Sequence, residues 1–268
     1  MPRVGTALGF YVLLWAVLVI ASGVTLPLKR FIPDAQLFIA TAGLIQAALI
    51  VLALGAFLRS RGFAPQTTLG LTPTRFGLVL WGAVGIVPLG MITGLILTPI
   101  IQMMPWLLSK ELEALVRLSR FSALQNYLFY ALALSVGPAL SEELAFRGLI
   151  LQGLRSRLGA VSAVVVTALF FGVIHLDIVQ GVLAFVIGLY LGYLTVRSGS
   201  IYPALVAHAW NNLWATFEAG LWQAANPQMS PKDILLSAGY PWWAYVLAGL
   251  VLIGAVYAFH RASVRDWS

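Results

Sequence analysis

Residues 125–154 read QNYLFYALALSVGPALSEELAFRGLILQGL, an apolar run whose charged residues are Glu142, Glu143 and Arg147. At 1.5 Å per residue such a run is about 45 Å of helix, enough to cross a hydrocarbon core roughly 30 Å thick. Further apolar runs cover 8–28, 37–58, 77–102, 160–176, 178–196, 200–222 and 241–259, and soluble folds rarely repeat runs of this length. Composition agrees, with 60% hydrophobic and 9% charged residues, against about 25% charged in an ordinary soluble domain. Unpaired backbone cannot face lipid, so the runs are read as helices. The expected fold is all-α: a polytopic membrane protein with about eight transmembrane helices in one bundle, residues 1–268 forming a single membrane domain without internal repeat. Pro88 and Pro99 are expected to kink the third span.

The net charge of +7 comes from sixteen Lys and Arg scattered singly between apolar runs. That pattern suits anionic lipid headgroups and gives no basic face for nucleic acid. The absence of cysteine excludes disulfides, thiolate nucleophiles, Cys-ligated zinc and Fe–S clusters. The first run, 8–28, exceeds a signal h-region and lacks an A-x-A cleavage site, so it is expected to stay as an anchor. With both termini inside, Arg3, Arg59, Arg61, Arg75, Arg155, Arg157, Arg197, Arg261 and Arg265 fall on one side, and Lys29, Arg30, Lys110, Arg117, Arg120 and Lys232 on the other. The positive-inside rule then expects cytoplasmic termini in a multi-pass protein of the cell membrane. Lys110 to Leu118 mixes charge with apolar spacing and reads as a helix on the membrane surface or as a solvated loop helix.

The informative residues are polar ones inside spans. Glu142, Glu143 and Arg147 would cost about 2.5 to 3.5 kcal/mol each if central and unpaired, so they are expected to face the bundle interior and have partners. Glu143 and Arg147 are related by i,i+4 and can pair, whereas Glu142 is turned about 100° away and stays free for chemistry. The span 125–154 is read as the only one with buried carboxylates. His175 closes the run 160–176, one turn after Phe171, and His208 and Asn212 share a face of the run 200–222 by their i,i+4 spacing. Asn211 is turned away from Asn212, and His260 is expected at the exposed C-terminal end among headgroups.

Polar side chains can be interhelical glue worth about 0.6 kcal/mol each. That explains one His or Asn well, but not Glu, His, His and Asn together, which are the parts of a water-activating site. Glu142 could take a proton from water oriented by His175, and His208 with Asn212 could donate hydrogen bonds to the oxyanion formed on a peptide carbonyl. Ser141 and Ser162 lack a G-x-S-x-G setting, which disfavours acyl-enzyme chemistry. Two His and a Glu could also hold zinc, although no H-E-x-x-H occurs. A non-catalytic scaffold and a proton-coupled transporter relaying through Glu142 are further alternatives.

Taken in order, Glu142-Glu143 with Arg147, Phe171 with His175, and His208 with Asn212 give E-E-x-x-x-R, F-x-x-x-H and H-x-x-x-N. This set resembles the CPBP family, the CaaX proteases and bacteriocin-processing enzymes also called Abi or type II CaaX prenyl endopeptidases. The resemblance covers roughly residues 125–220, taken as the catalytic core, and Leu69-Gly70-Leu71 looks like a short family feature. It implies a glutamate-type intramembrane endopeptidase without a metal cofactor, acting on a membrane-associated protein or peptide. Glu142 would be the general base, His175 its assistant, His208 and Asn212 the oxyanion hole, and Glu143, Arg147 and Phe171 supporting residues. The resemblance leaves open a non-catalytic immunity protein, and whether a substrate is prenylated.

Overall fold

The computed structural model describes residues 2–264, so Arg265, counted above among the inside charges, lies outside the described residues. Ten helices carry the fold among these residues: α1 Val4–Thr25, α2 Ala35–Ser60, α3 Phe76–Met103, α4 Lys110–Leu118, α5 Leu124–Glu143, α6 Leu151–Val173, α7 Ile178–Ser198, α8 Tyr202–Ala225, α9 Pro231–Ser237 and α10 Trp242–Val264. A π-helical segment, Leu144–Ile150, joins α5 to α6. No strand occurs among the described residues, and the chain is an all-α, polytopic membrane protein.

Six helical runs are long and apolar enough to cross a membrane, one of them the 50-residue stretch Leu124–Val173. That stretch is not one rod. Gly159 takes φ 76° and ψ 175°, a conformation that glycine tolerates because it has no Cβ, and it separates 151–158 from 160–173. The turn is exposed and carries Arg155 and Arg157, as expected for a loop between two spans. Helix α8, 24 residues and about 36 Å long, stays outside the six because His208, Asn211, Asn212 and Glu218 lower its hydropathy. With the Gly159 division and α8, eight helical segments follow the expected order, against six runs that meet the length and hydropathy of a span, so about eight is an approximate count.

Local signals set several ends. Asp34 caps α2 by accepting from Leu37 N at 2.9 Å, and Asp177 caps α7 by accepting from Gln180 N at 2.7 Å. Gly199 at φ 66° closes α7. Pro88 and Pro99 both lie inside α3 without ending it.

In the bundle, α5 packs against α2 and α8, α6 against α7, and α3 against α8 and α10. The helices α6 and α7 approach at two glycines: a Cβ on Gly172 would stand 2.7 Å from the Gly181 carbonyl oxygen. Close backbone approach at small residues is how helices associate in lipid, where no hydrophobic effect draws them together. The Leu69-Gly70-Leu71 turn packs on the π segment, since a Cβ on Gly148 would meet Leu69 Cδ2 at 2.9 Å. Helix α4 forms as a nine-residue helix capped by Ser109. Gln36 Nε2 donates to Leu118 O and Arg120 O at 2.6 and 3.0 Å, and Gln223 Nε2 donates to Val116 O. Helix α4 is thus tied to α2 and α8. It turns Leu112, Leu115 and Val116 into a cavity, so neither a free surface helix nor a solvated loop helix describes it fully.

Candidate active site

Glu142 and Glu143 end α5, and the π segment follows immediately. Such wide turns recur at functional sites because they re-aim side chains within a helix. Glu143 and Arg147 remain within reach, with Nη1 of Arg147 donating to Oε1 of Glu143 at 2.8 Å and both side chains fully buried. Arg147 Nη2 also donates to the Gly188 carbonyl at 3.3 Å, and its guanidinium lies over the Phe171 ring at 4.6 Å. A buried charge survives only with this kind of compensation.

His208 reaches the same carboxylate from α8. Its Nδ1 lies 2.8 Å from Glu143 Oε1, and its Nε2 lies 3.8 Å from Glu142 Oε2. Glu142 keeps 21% of its side chain exposed. His175 Nδ1 lies 2.7 Å from the Phe171 carbonyl. A carbonyl oxygen only accepts, so Nδ1 carries the proton and Nε2 of the neutral ring keeps its lone pair. The Phe171 ring stands edge-on to both imidazoles, 5.0 Å from His175 and 5.7 Å from His208. After His175, Leu176 takes φ 55°, a left-handed conformation unfavourable for leucine, and turns the chain into α7.

Glu142, Phe171, His175, His208, Asn211 and Asn212 line one cavity of about 590 Å³. A second cavity of about 340 Å³, between α1, α2 and the π segment, is also lined by Glu142 and His175. These two side chains therefore form the boundary between the cavities. Among the described residues no three His, Asp or Glu side chains gather into a set that could hold a metal ion. Glu143 binds His208 and the Phe171 carbonyl binds His175, which leaves one ring nitrogen of each His for the cavity.

Residues 124–214 match the family model described as Type II CAAX prenyl endopeptidase Rce1-like. Over this segment the chain is similar to the Rce1-like family. The segment contains all seven motif positions from Glu142 to Asn212 and runs from α5 into α8. The Rce1-like family is a protease family of the CAAX type, as the sequence resemblance implies. No curated protein and no solved structure gives a match.

Several features of this segment and its surroundings differ from expectation. Asn211 does not turn away: it lines the cavity and donates from Nδ2 to Asn212 Oδ1 at 3.3 Å. A wide cavity can be lined by positions 100° apart. The bond from His208 to Glu143 joins residues far apart in sequence, and no periodicity signals it. The expectation that 125–154 is the only span with buried carboxylates is too narrow, because Glu218 in α8, itself half-buried, lines the same cavity and accepts from the Tyr240 hydroxyl. Its signal was present, a lone Glu inside the run 200–222. Burial first, then Glu218, pushes the Tyr240 phenol above its ordinary range, so it remains a donor. His260 is exposed, with Nδ1 3.3 Å from the Tyr193 hydroxyl.

Proposed function

We propose that the chain is an intramembrane endopeptidase that hydrolyses a peptide bond of a membrane-associated protein or peptide, without a metal, through water activated by Glu142 and His175. The observation that carries this reading is the convergence of Glu142, His175, His208 and Asn212 from three helices on one cavity. Water held between Glu142 and His175 gives a proton to Glu142 as its oxygen attacks the carbonyl carbon. The carbonyl π pair moves to oxygen, and the oxyanion takes hydrogen bonds from His208 Nε2–H and the Asn212 amide. The C–N bond then breaks, and Glu142 returns its proton to the leaving amine.

The oxyanion role sets a condition on His208. Its Nδ1–H goes to Glu143, so Nε2 donates only when the ring is doubly protonated. Glu142 and Glu143 on either side balance that charge, and Arg147 balances the remaining one. Asn212 Oδ1 accepts from Asn211, which turns the Asn212 NH₂ into the group that serves the cavity. Residues 125–220 then act as the catalytic core of a single membrane domain, with both termini on the cytoplasmic side as the loop charges favour.

The test is cleavage of a peptide library by protein purified in detergent, comparing wild type with Glu142→Gln and adding a strong chelator in parallel. Cleavage that disappears with the substitution and survives the chelator is the expected result. Chelator sensitivity would restore zinc, and no cleavage by wild type would favour a scaffold.

A further inference from the structure

Glu218 shares the large cavity with Glu142, and no step of the proposed hydrolysis uses it. It lies ten residues beyond His208 on α8, about 15 Å along the helix axis. A carboxylate within a spanning helix is expensive to insert and calls for a partner. Its Oε1 accepts from the Tyr240 hydroxyl, and Tyr240 is itself fixed, its backbone N–H donating to the Tyr245 hydroxyl at 2.9 Å. The phenol and the side chains of Trp222 and Trp214 offer Glu218 hydrogen bonds but bring no counter-charge. Among the described residues lining the cavity there are two glutamates and no lysine or arginine, in a chain whose net charge is +7. Trp222 stands edge-on to Tyr240 with ring centroids 6.1 Å apart, and Trp214 also lines the wall. Aromatic faces beside a carboxylate attract ammonium and guanidinium groups, and at this end of the cleft, about 15 Å along α8 from His208, Glu218 favours ligands of positive charge.

We infer that Glu218, held by Tyr240 and flanked by Trp222, is a cation subsite that reads a lysine, an arginine or a free α-amino group of the substrate. Extended peptide rises about 3.3 Å per residue, so the cation stands roughly four to five residues from the bond held at Glu142. The cleft thereby selects basic peptides and fixes their register. This inference rests on the peptide-hydrolysis reading, and the experiment keeps the two apart.

Short fluorescent peptides of alanine and leucine, carrying one lysine stepped along the chain, are titrated against Glu142→Gln protein in detergent with and without Glu218→Gln. N-acetylated and free-amine versions separate a side-chain cation from the α-amino group. The glutamine keeps an acceptor for Tyr240 and removes only the charge. The expected result is about tenfold tighter binding for a cation at one offset than for norleucine there, a preference that Glu218→Gln abolishes. Equal affinity for lysine and norleucine, or an equal loss of both in Glu218→Gln, would overturn the subsite and leave Glu218 as a clamp on residues 238–241. Wild-type cleavage is followed with the same peptides. Lysine-dependent binding without cleavage would sink the hydrolysis reading and uphold the subsite, whereas cleavage indifferent to lysine would sink the subsite alone.

Discussion

His208 Nδ1 lies 2.8 Å from Oε1 of Glu143, a carboxylate 65 residues earlier in the chain. The same oxygen accepts from Arg147, so one buried atom joins the π segment to α8 and fixes the direction in which the imidazole presents its other nitrogen. The EE-and-R motif and the H-and-N motif are thus one hydrogen-bonded unit. Glu143 is a positioning residue in it, and Glu142 remains directed to the cavity.

Arg147→Ala tests that unit. Removing the guanidinium strands Glu143 without its full counter-charge and exposes the Gly188 carbonyl and the Phe171 face to a void. Breaking a buried pair from one side costs about 3 to 5 kcal/mol. Folded yield and the thermal midpoint in detergent should both fall, with Arg147→Lys intermediate, because an ammonium cannot make both the Glu143 and Gly188 bonds and the contact over the Phe171 ring. An unchanged midpoint would show that the pair carries no stability.

Glu142→Gln should behave in the opposite way. Its contact with His208 Nε2 is at 3.8 Å, beyond hydrogen-bond range, so folding should not depend on it. Loss of the general base should lower cleavage roughly 10²- to 10⁴-fold while the melting profile is kept. Substantial remaining turnover would remove Glu142 from that role.

His208→Ala and Asn212→Ala address the oxyanion. Both groups are proposed to bind the tetrahedral state more strongly than the substrate, so kcat should fall roughly 10²- to 10³-fold with little change in KM. A rise in KM alone would make them binding residues. Of the two, His208→Ala should also lower stability, since it removes one of the two partners of Glu143 Oε1 and leaves only Arg147.

How much of this was legible in the sequence follows from the range of each signal. Helices and the Glu143–Arg147 pair are local, fixed by run length and i,i+4 spacing, and both are read directly from residues 125–154. His175 stands in the turn just past the end of α6, whereas the register of His208 on the cavity wall also follows from position along a helix. The π segment does not, because Leu144 to Ile150 carry no residue that demands a wider turn. Nor does the His208–Glu143 bond, which depends on how α8 docks against α5. Glu218 is a different case: its charge was visible in an apolar run, and its meaning came only with the cavity that it shares with Glu142 and with Tyr240, which arrives from beyond α9.

The contact between α6 and α7 gives the last prediction, because it places His175 through backbone alone. A Cβ on Gly172 would stand 2.7 Å from the Gly181 carbonyl oxygen, closer than real Cβ contacts allow, and backbone cannot move aside as a flexible side chain can. Gly172→Ala should therefore push α7 from α6, tilt the turn that carries Phe171 and His175, and lower both the thermal midpoint and kcat. Gly172→Val should do so more strongly. Gly55→Ala is the matched control, since a Cβ there meets nothing within 4 Å. That control should leave cleavage unchanged and stability equal or slightly higher, as alanine is the better helix former. If Gly172→Ala were as silent as Gly55→Ala, the close approach of the two backbones would not be what sets His175 against the cavity.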